Sequence, residues 1–459
     1  MIALPLGILM FGSILLALLD GTRKRNGWIA VAILGCALIA TMRLGWHIYD
    51  HGVQEMAVGG WDQGIGIVLR IDLVGIVFAV LCQLVLLSAL TYEVIADVGA
   101  RVFPALVLFM AVGLTGLTFT GDAFNFYVFF EISMISSYIL VNYGESARQF
   151  RAAFVFITVN LLGSVLFLIG IAGIYHTTGF LDMVRIREQM PLVQENPAIL
   201  TATIIFVAFS VKLGLFPFHF WLPTVYTGTR PAVAAILSGA LANIGTYGLI
   251  RFGVDIFPRE LEAASAVLII LGCASIVYGG VQAVSRHAPA EVLAYSAIGQ
   301  VGYIMIALAF GGTVGLAAVI LYSVLNSLNK TVLFLGISAH GWLATAAVAI
   351  GAFSVAGVPP VGGFFAKYAL FDLAISEREP VLVMLIFVGS VISFVYMFQM
   401  YRRRIAIDTG PDAPPVSKQS LQAVSFTLAI GLIVIGLFPE PLIHVIQMAA
   451  ASLTQGVAP

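Results

Sequence analysis

The chain has 459 residues, 60% of them hydrophobic and only 10% charged, with a formal net charge of −1 at pH 7. Soluble proteins carry about 25% charged residues, so this composition excludes a water-soluble globular enzyme and implies an all-α polytopic membrane protein. No nucleic-acid partner is expected.

Apolar runs of about 18 residues or more, each long enough to cross a bilayer as a helix, recur along nearly the whole chain. The first, in "MIALPLGILMFGSILLALLDGTRKR", has no basic region before it and no small-residue cleavage site, so it reads as a membrane helix and not a removed signal peptide. It is expected over 2–19, followed by 27–46, 71–95, 101–120, 121–143, 151–175, 199–217, 231–253, 261–285, 291–311, 313–337, 341–375, 382–401 and 419–438. That makes about fourteen helices, with polar connectors at 47–70 and 176–198 and an interfacial segment at 440–455. The 341–375 run is too long for one crossing and contains "GVPPVGG", so it is expected to be a broken helix.

Positive charge sets the orientation. Loops after odd-numbered helices hold Arg23, Lys24, Arg25, Arg101, Arg148, Arg151, Arg230, Arg286, Arg402, Arg403, Arg404 and Lys418. Loops after even-numbered helices hold Arg43, Arg70, Arg185, Arg187, Arg251, Arg259 and Arg378. The excess marks the odd loops as cytoplasmic and places both termini outside. Three cations remain, Lys212, Lys330 and Lys367, and all lie inside expected spans. Lysine, unlike arginine, can lose its proton when desolvated.

Glu131 stands mid-span in "FNFYVFFEISMISSYIL". An ionisable group there marks a proton or ion pathway, or else a structural ion pair; a pair with Lys212 across helices 5 and 7 is expected. Lys212 precedes Pro217 and Pro223, and Lys367 follows Pro359 and Pro360. Proline frees carbonyls, and irregular backbone at membrane depth survives only inside protein or facing water. Two broken helices at matching places suggest two inverted five-helix repeats. Helices 4–8 (101–253) and 9–13 (261–401) form the repeats, preceded by helices 1–3 (1–100) and followed by 402–459. Each proline gap would serve its lysine.

His219 lies in the first break, as a relay group or a satisfied hydrogen-bonder. Lys330 has Asn326 and Asn329 close by in "LNSLNKTVLF", and Tyr295, Ser296 and Gln300 in "VLAYSAIGQVGY" could line a hydrated path. Asp72 and Asp122 fall at span ends and read as caps. Cys36, Cys82 and Cys273 have no paired spacing, and no phosphate-binding, dinucleotide or haem motif occurs. Neither a cofactor nor a metal is expected, and the chain carries no catalytic chemistry of its own.

The stretches "DAFNFYVFFEISMISSYIL", "VKLGLFPFHFWLPTVYTGTRPAVAAILSGALANIGTYGLIR", "LAYSAIGQVGY", "LNKTVLFL" and "AGVPPVGGFFAKYAL" resemble the antiporter-like, proton-translocating subunits of complex I, membrane-bound hydrogenases and Mrp cation/proton antiporters. The likeness runs in order from "VGGWDQGIGIVLRID" to about residue 371 and is closest to the D-type subunits of the Mrp antiporters or the complex I subunit like them. It implies fourteen helices with two inverted repeats, and a relay of Glu131, Lys212, His219, Lys330 and Lys367. It also implies membrane-subunit partners in an antiporter, hydrogenase or complex I-like assembly of the cell inner membrane, moving protons and in some members sodium. Departures from the pattern are Asn243 where the eighth helix usually has a lysine, Asn326 in place of a histidine, and "RHAPAEV" where charges usually precede "LAYS". Asn243 and Asn326 could hold water in the path but cannot titrate. The alternative is a degenerate subunit acting mainly as a membrane scaffold for its partners. A stand-alone solute carrier is disfavoured by the lack of further charged residues in both repeats.

Overall fold

The computed structural model describes residues 2–60, 66–144, 146–411 and 413–454. Helices α1 (Leu4–Leu18) and α2 (Lys24–His51) open the chain. A short antiparallel hairpin, β1 (Gln54–Ala57) with β2 (Val68–Ile71), leads into α3 (Leu73–Ala96). The expected connector at 47–70 therefore holds the last turn of α2 and the hairpin; part of the "VGGWDQGIG" stretch lies outside the described residues.

Next come α4 (Phe103–Phe119), α5 (Ala123–Val141) and α6 (Ala147–Thr178). Asp72 and Asp122 cap α3 and α5, accepting from the Gly75 and Asn125 amides at 2.8 and 2.7 Å. Ser146 and Gln149 form a reciprocal capping box on α6. The 176–198 connector contains α7 (Met183–Gln189).

The first broken helix is α8 (Glu195–Leu213) and α9 (Trp221–Gly228). Gly214, at φ +68°, ends α8 by donating its N–H to Ser210 and Val211. The frayed backbone is met by partners in the protein. The Phe216 N–H donates to Ser275 Oγ at 2.9 Å, and the Trp221 indole to the Val211 carbonyl at 3.0 Å. A continuous helix over Pro231–Ile256 follows. It comprises α10 (Pro231–Ile236), a wide π turn at Leu237–Leu241, α11 (Asn243–Gly248) and a second π stretch at Leu249–Ile256.

After α12 (Pro258–Ala263) come α13 (Ser265–Ser285), α14 (Pro289–Phe310) and α15 (Gly312–Ser338). The second broken helix is α16 (Trp342–Ala356) and α17 (Gly363–Ser376), joined through Gly357 at φ +80° and the two prolines. Its freed amides are again met: Gly363 N–H donates to Ser354 Oγ at 3.0 Å and Gly362 N–H to the Leu432 carbonyl at 2.9 Å. The chain closes with α18 (Pro380–Thr409), α19 (Gln419–Leu437) and α20 (Glu440–Thr454). The C-terminal helix buries Ile446, Ala449, Ala450 and Leu453 and packs on α15 and α3.

Eleven helices among the described residues are long and apolar enough to cross a membrane; α1, α4 and α16 are shorter apolar helices of 10–17 residues. The chain is thus a multi-pass membrane protein. Helix α15 lies at its centre, touching α3, α10, α14, α16, α17, α19 and α20. Several arginines assigned to loops lie on helices, among them Arg43 in α2 and Arg402 and Arg403 in α18, and two others are buried. Arg251 is buried in the second π stretch, bonded to Asp72 at 2.6 Å and to the Tyr247 hydroxyl at 2.8 Å. Arg404 is buried on α18, which runs on past the expected end of its span.

Candidate functional site

All three lysines of the apolar spans are buried: Lys212 is 6% exposed, Lys330 0% and Lys367 4%. None makes an ion pair among the described residues. A buried ammonium without a counter-ion needs hydrogen-bond acceptors, and each lysine has neutral ones.

Lys212, one residue before the end of α8, donates to the Asn160 carbonyl at 2.7 Å and to Ser164 Oγ at 3.2 Å, both on α6. Its ammonium stands 4.5 Å from the centre of the Phe130 ring, in reach of a cation–π interaction. Gly163 lets the stem pass: a Cβ there would sit 3.2 Å from Lys212 Cε. The proline gap does not hold Lys212, contrary to expectation, because its side chain turns to a neighbouring intact helix.

Glu131 and Lys212 form no direct ion pair, again contrary to expectation. The Phe130 ring covers the ammonium, and Glu131 Oε1 is buried without a protein partner. On α5, Tyr138 follows Glu131 by seven residues, about two turns, and its hydroxyl is buried without a protein partner.

In the second broken helix the gap does serve the lysine. Lys367 Nζ donates at 2.9 Å to the carbonyl of Ala356, the last residue of α16. Residue Gly357 cannot carry a side chain here, since a Cβ would come within 2.6 Å of Lys367 Cδ.

Lys330 sits on α15 and donates to Ser296 Oγ at 2.8 Å and to the Leu293 carbonyl at 3.2 Å, both on α14. Ser296 Oγ is 3.1 Å from the Tyr396 hydroxyl of α18, which also receives the Gln300 amide at 3.4 Å. The Tyr322 hydroxyl donates to Gln300 Oε1. Gln300, Tyr322, Asn326, Asn329, Ser354 and Lys367 border one narrow crevice of about 10 Å³. Asn326 Oδ1 and Asn329 Oδ1 are buried there without a protein partner. Lys330 is thus linked through Ser296, Tyr396 and Gln300 to Tyr322, which borders the same crevice as Lys367.

Asn243 lies between the two π stretches. Its amide donates to the Gly239 carbonyl at 2.8 Å and to Ser327 Oγ at 3.0 Å, and Ser327 Oγ lies 3.2 Å from Asn243 Oδ1. His219 occupies the turn of the first break, stacked on Phe216 at 5.3 Å and leaning on Tyr278 at 4.4 Å, with Nδ1 buried and unpaired. Tyr295 belongs to this aromatic column and not to the Lys330 cluster; it lies 6.3 Å from Tyr278 and under the Arg286 guanidinium.

The sequence reading missed Asn160, Ser164, Ser327, Tyr322 and Tyr396. Asn160 and Ser164 lie four residues apart in an otherwise apolar run, a helical polar stripe that could have been noticed. Nothing local marks Tyr396, whose partners come from α14.

The sequence pattern of the family described as "NADH:quinone oxidoreductase/Mrp antiporter, TM" matches residues 120–393. The chain is 31% identical over 390 residues to the D subunit of the Na(+)/H(+) antiporter of Alkalihalophilus pseudofirmus, covering 80% of this chain and 79% of that one. The fold is similar to a chain of the Mrp complex from Dietzia sp. DQ12-45-1b, with a TM-score of 0.90, 26% identity and 98% and 97% coverage of the two chains. A chain of the membrane-bound sulfane sulfur reductase, an archaeal respiratory membrane complex, matches with a TM-score of 0.86, 25% identity and 98% and 96% coverage.

Proposed function

The chain belongs to the NADH:quinone oxidoreductase/Mrp antiporter transmembrane family, and from that premise we propose that it is a cation- and proton-translocating subunit of a multi-subunit membrane complex. The observation that carries the reading is the set of three buried lysines solvated only by neutral groups. An ammonium held by hydroxyls and carbonyls can give up its proton without leaving a buried carboxylate behind, which an ion-paired lysine cannot do. Glu131, Lys212, His219, Lys330 and Lys367 are the proposed relay, with Asn243, Asn326 and Ser296 holding water or hydrogen bonds between them. Tyr295 stands apart from these groups, its ring in the aromatic column beside Tyr278.

The partners are other membrane subunits, and the setting is the plasma membrane with both termini outside, as the arginine bias of the loops favours. The proposed repeats are 101–253 and 261–401, inverted relative to one another. Each contains a helix broken at a glycine of positive φ, Gly214 or Gly357, with the lysine before the break in one and after it in the other. A scaffold role is the second reading. The reciprocal bonding of Asn243 with Ser327 supports it, because this pair needs no water to be satisfied.

Glu131→Ala and Lys212→Ala, measured in membranes with the complex assembled, separate the two. Each should abolish proton-coupled transport. Normal transport in both variants would leave the scaffold reading standing.

A further inference from the structure

Helix α5 and its C-cap, Asn142, carry three polar side chains on one face. Glu131, Tyr138 and Asn142 follow at intervals of seven and four residues, which stack on a helix of 3.6 residues per turn. Each presents a buried polar atom with no protein partner: Glu131 Oε1, Tyr138 OH and Asn142 Oδ1. Buried polar groups are ordinarily paired, so a file of three calls for an explanation.

A groove of about 490 Å³ opens beside them at the end of α5. Its walls are mostly apolar side chains of α4, α5 and α6, including Phe103, Leu106, Phe154 and Ile157, but both Tyr138 and Asn142 border it. A third polar wall group, the Tyr143 hydroxyl, already accepts the Gly99 N–H at 2.6 Å. Tyr138 therefore stands between two spaces. One side meets the groove, and about two turns back on the same face of α5 stands Glu131.

We infer that this groove is the water-filled mouth through which protons reach Glu131, with Asn142 at its rim and Tyr138 as the last group before the carboxylate. The inference rests on the relay reading of Glu131 given above. Tyr138 and Glu131 are separated by a rise of about 10.5 Å along the helix. Helical side chains lean back toward the N-terminus, so the Tyr138 ring spans much of that distance in the direction of Glu131. The step balances simply. A hydronium in the groove gives a proton to the phenol oxygen while the phenol's own proton passes on toward Glu131, leaving water, an unchanged tyrosine and a neutral carboxyl. Asn142, which cannot titrate, orients the water that delivers the proton.

The test uses the assembled complex in sealed vesicles, in a background where Cys36, Cys82 and Cys273 are replaced and transport is retained. Asn142→Cys should react with a small charged methanethiosulfonate from one side of the membrane only, and labelling should slow proton-coupled transport at least tenfold. Tyr138→Phe, which keeps the ring, should slow it by a similar factor, while Ile135→Ala, on α5 but outside the groove, should not. Reaction of Asn142→Cys with an apolar maleimide but not with the charged reagent would show a lipid-filled groove and overturn the inference. Full-rate transport by Tyr138→Phe would overturn it too. Glu131→Gln separates the two levels of the argument: if that variant is inactive while the groove variants are normal, only the mouth is misplaced. If Glu131→Gln transports normally, the relay reading itself falls.

Discussion

Asn243 concentrates the question of whether both halves of the molecule conduct. Its amide and the Ser327 hydroxyl satisfy one another across α11 and α15, and neither can store a proton near neutral pH. Asn243→Leu, of similar volume, removes those partners and leaves Ser327 unpaired, at a cost of about 1–3 kcal/mol. If protons pass this point by water hydrogen-bonded to the pair, the variant should transport much more slowly in a fully assembled complex. Asn243→Lys should be tolerated and alter the pH dependence of transport. An unchanged rate in Asn243→Leu would mean that no path runs there. A second residue-scale expectation concerns Gly357, whose φ of +80° and contact with the Lys367 stem both exclude a side chain. Gly357→Ala should destabilise by more than about 1 kcal/mol and displace Lys367. Gly7→Ala, in open space on α1, should melt as the parent does.

At the scale of elements, the apolar runs were legible because bilayer crossing demands length and composition, and both are local properties. The two breaks were legible for the same reason: Pro217, Pro359 and Pro360 announce themselves wherever they stand. The hairpin was not, since its strands have four residues each, too few for an alternation to be distinguished from a connector. Reading Arg251 as a loop charge failed for a different reason. Its partner Asp72 lies 179 positions away, and only the folded chain shows that a guanidinium at the end of an apolar run is neutralised in place. The same holds for the lysines. Their depth could be read from the sequence, but the acceptors of Lys212 belong to α6 and those of Lys330 to α14, and hydrophobic periodicity does not say which helices adjoin.

The whole molecule is tied together by a few long-range charge contacts whose energetics differ with burial. The Arg251–Asp72 pair joins the start of α3 to the end of the Pro231–Ile256 helix with both side chains at least nine-tenths covered. Removing one partner of such a pair costs about 3–5 kcal/mol, so Arg251→Leu should sharply lower the amount of folded protein. Combining Arg251→Gln with Asp72→Asn should recover part of it, as measured by the melting temperature of the purified complex. Asp97 is the contrasting case. It is exposed and lies 3.3 Å from Lys24 and 3.2 Å from Lys418. Its hydrogen bonds to Lys418 and then Lys24 hold the carboxyl below its ordinary value of 3.8. A lowered carboxylate pKa stabilises above that ordinary value and loses the effect as pH falls through the folded one, and salt screens it. Asp97→Asn should therefore leave melting near pH 7 in high salt unchanged, with any difference confined to low salt.

Helix α18 has 30 residues and so is about 45 Å long. Midway it touches the Lys330 cluster through Tyr396. Near its end, the Arg404 guanidinium grips the Ile337 and Ala339 carbonyls at the close of α15, the helix that carries Lys330, and Asp408 holds His340 and Thr345 just beyond. Helix α18 is thus tied to α15 directly near its end and, midway, through α14, like a beam pinned once to its neighbour and once through a strut. A force applied to α18 by an adjoining subunit would therefore act on Lys330 from two sides, through its own helix at Arg404 and through its Ser296 acceptor at Tyr396.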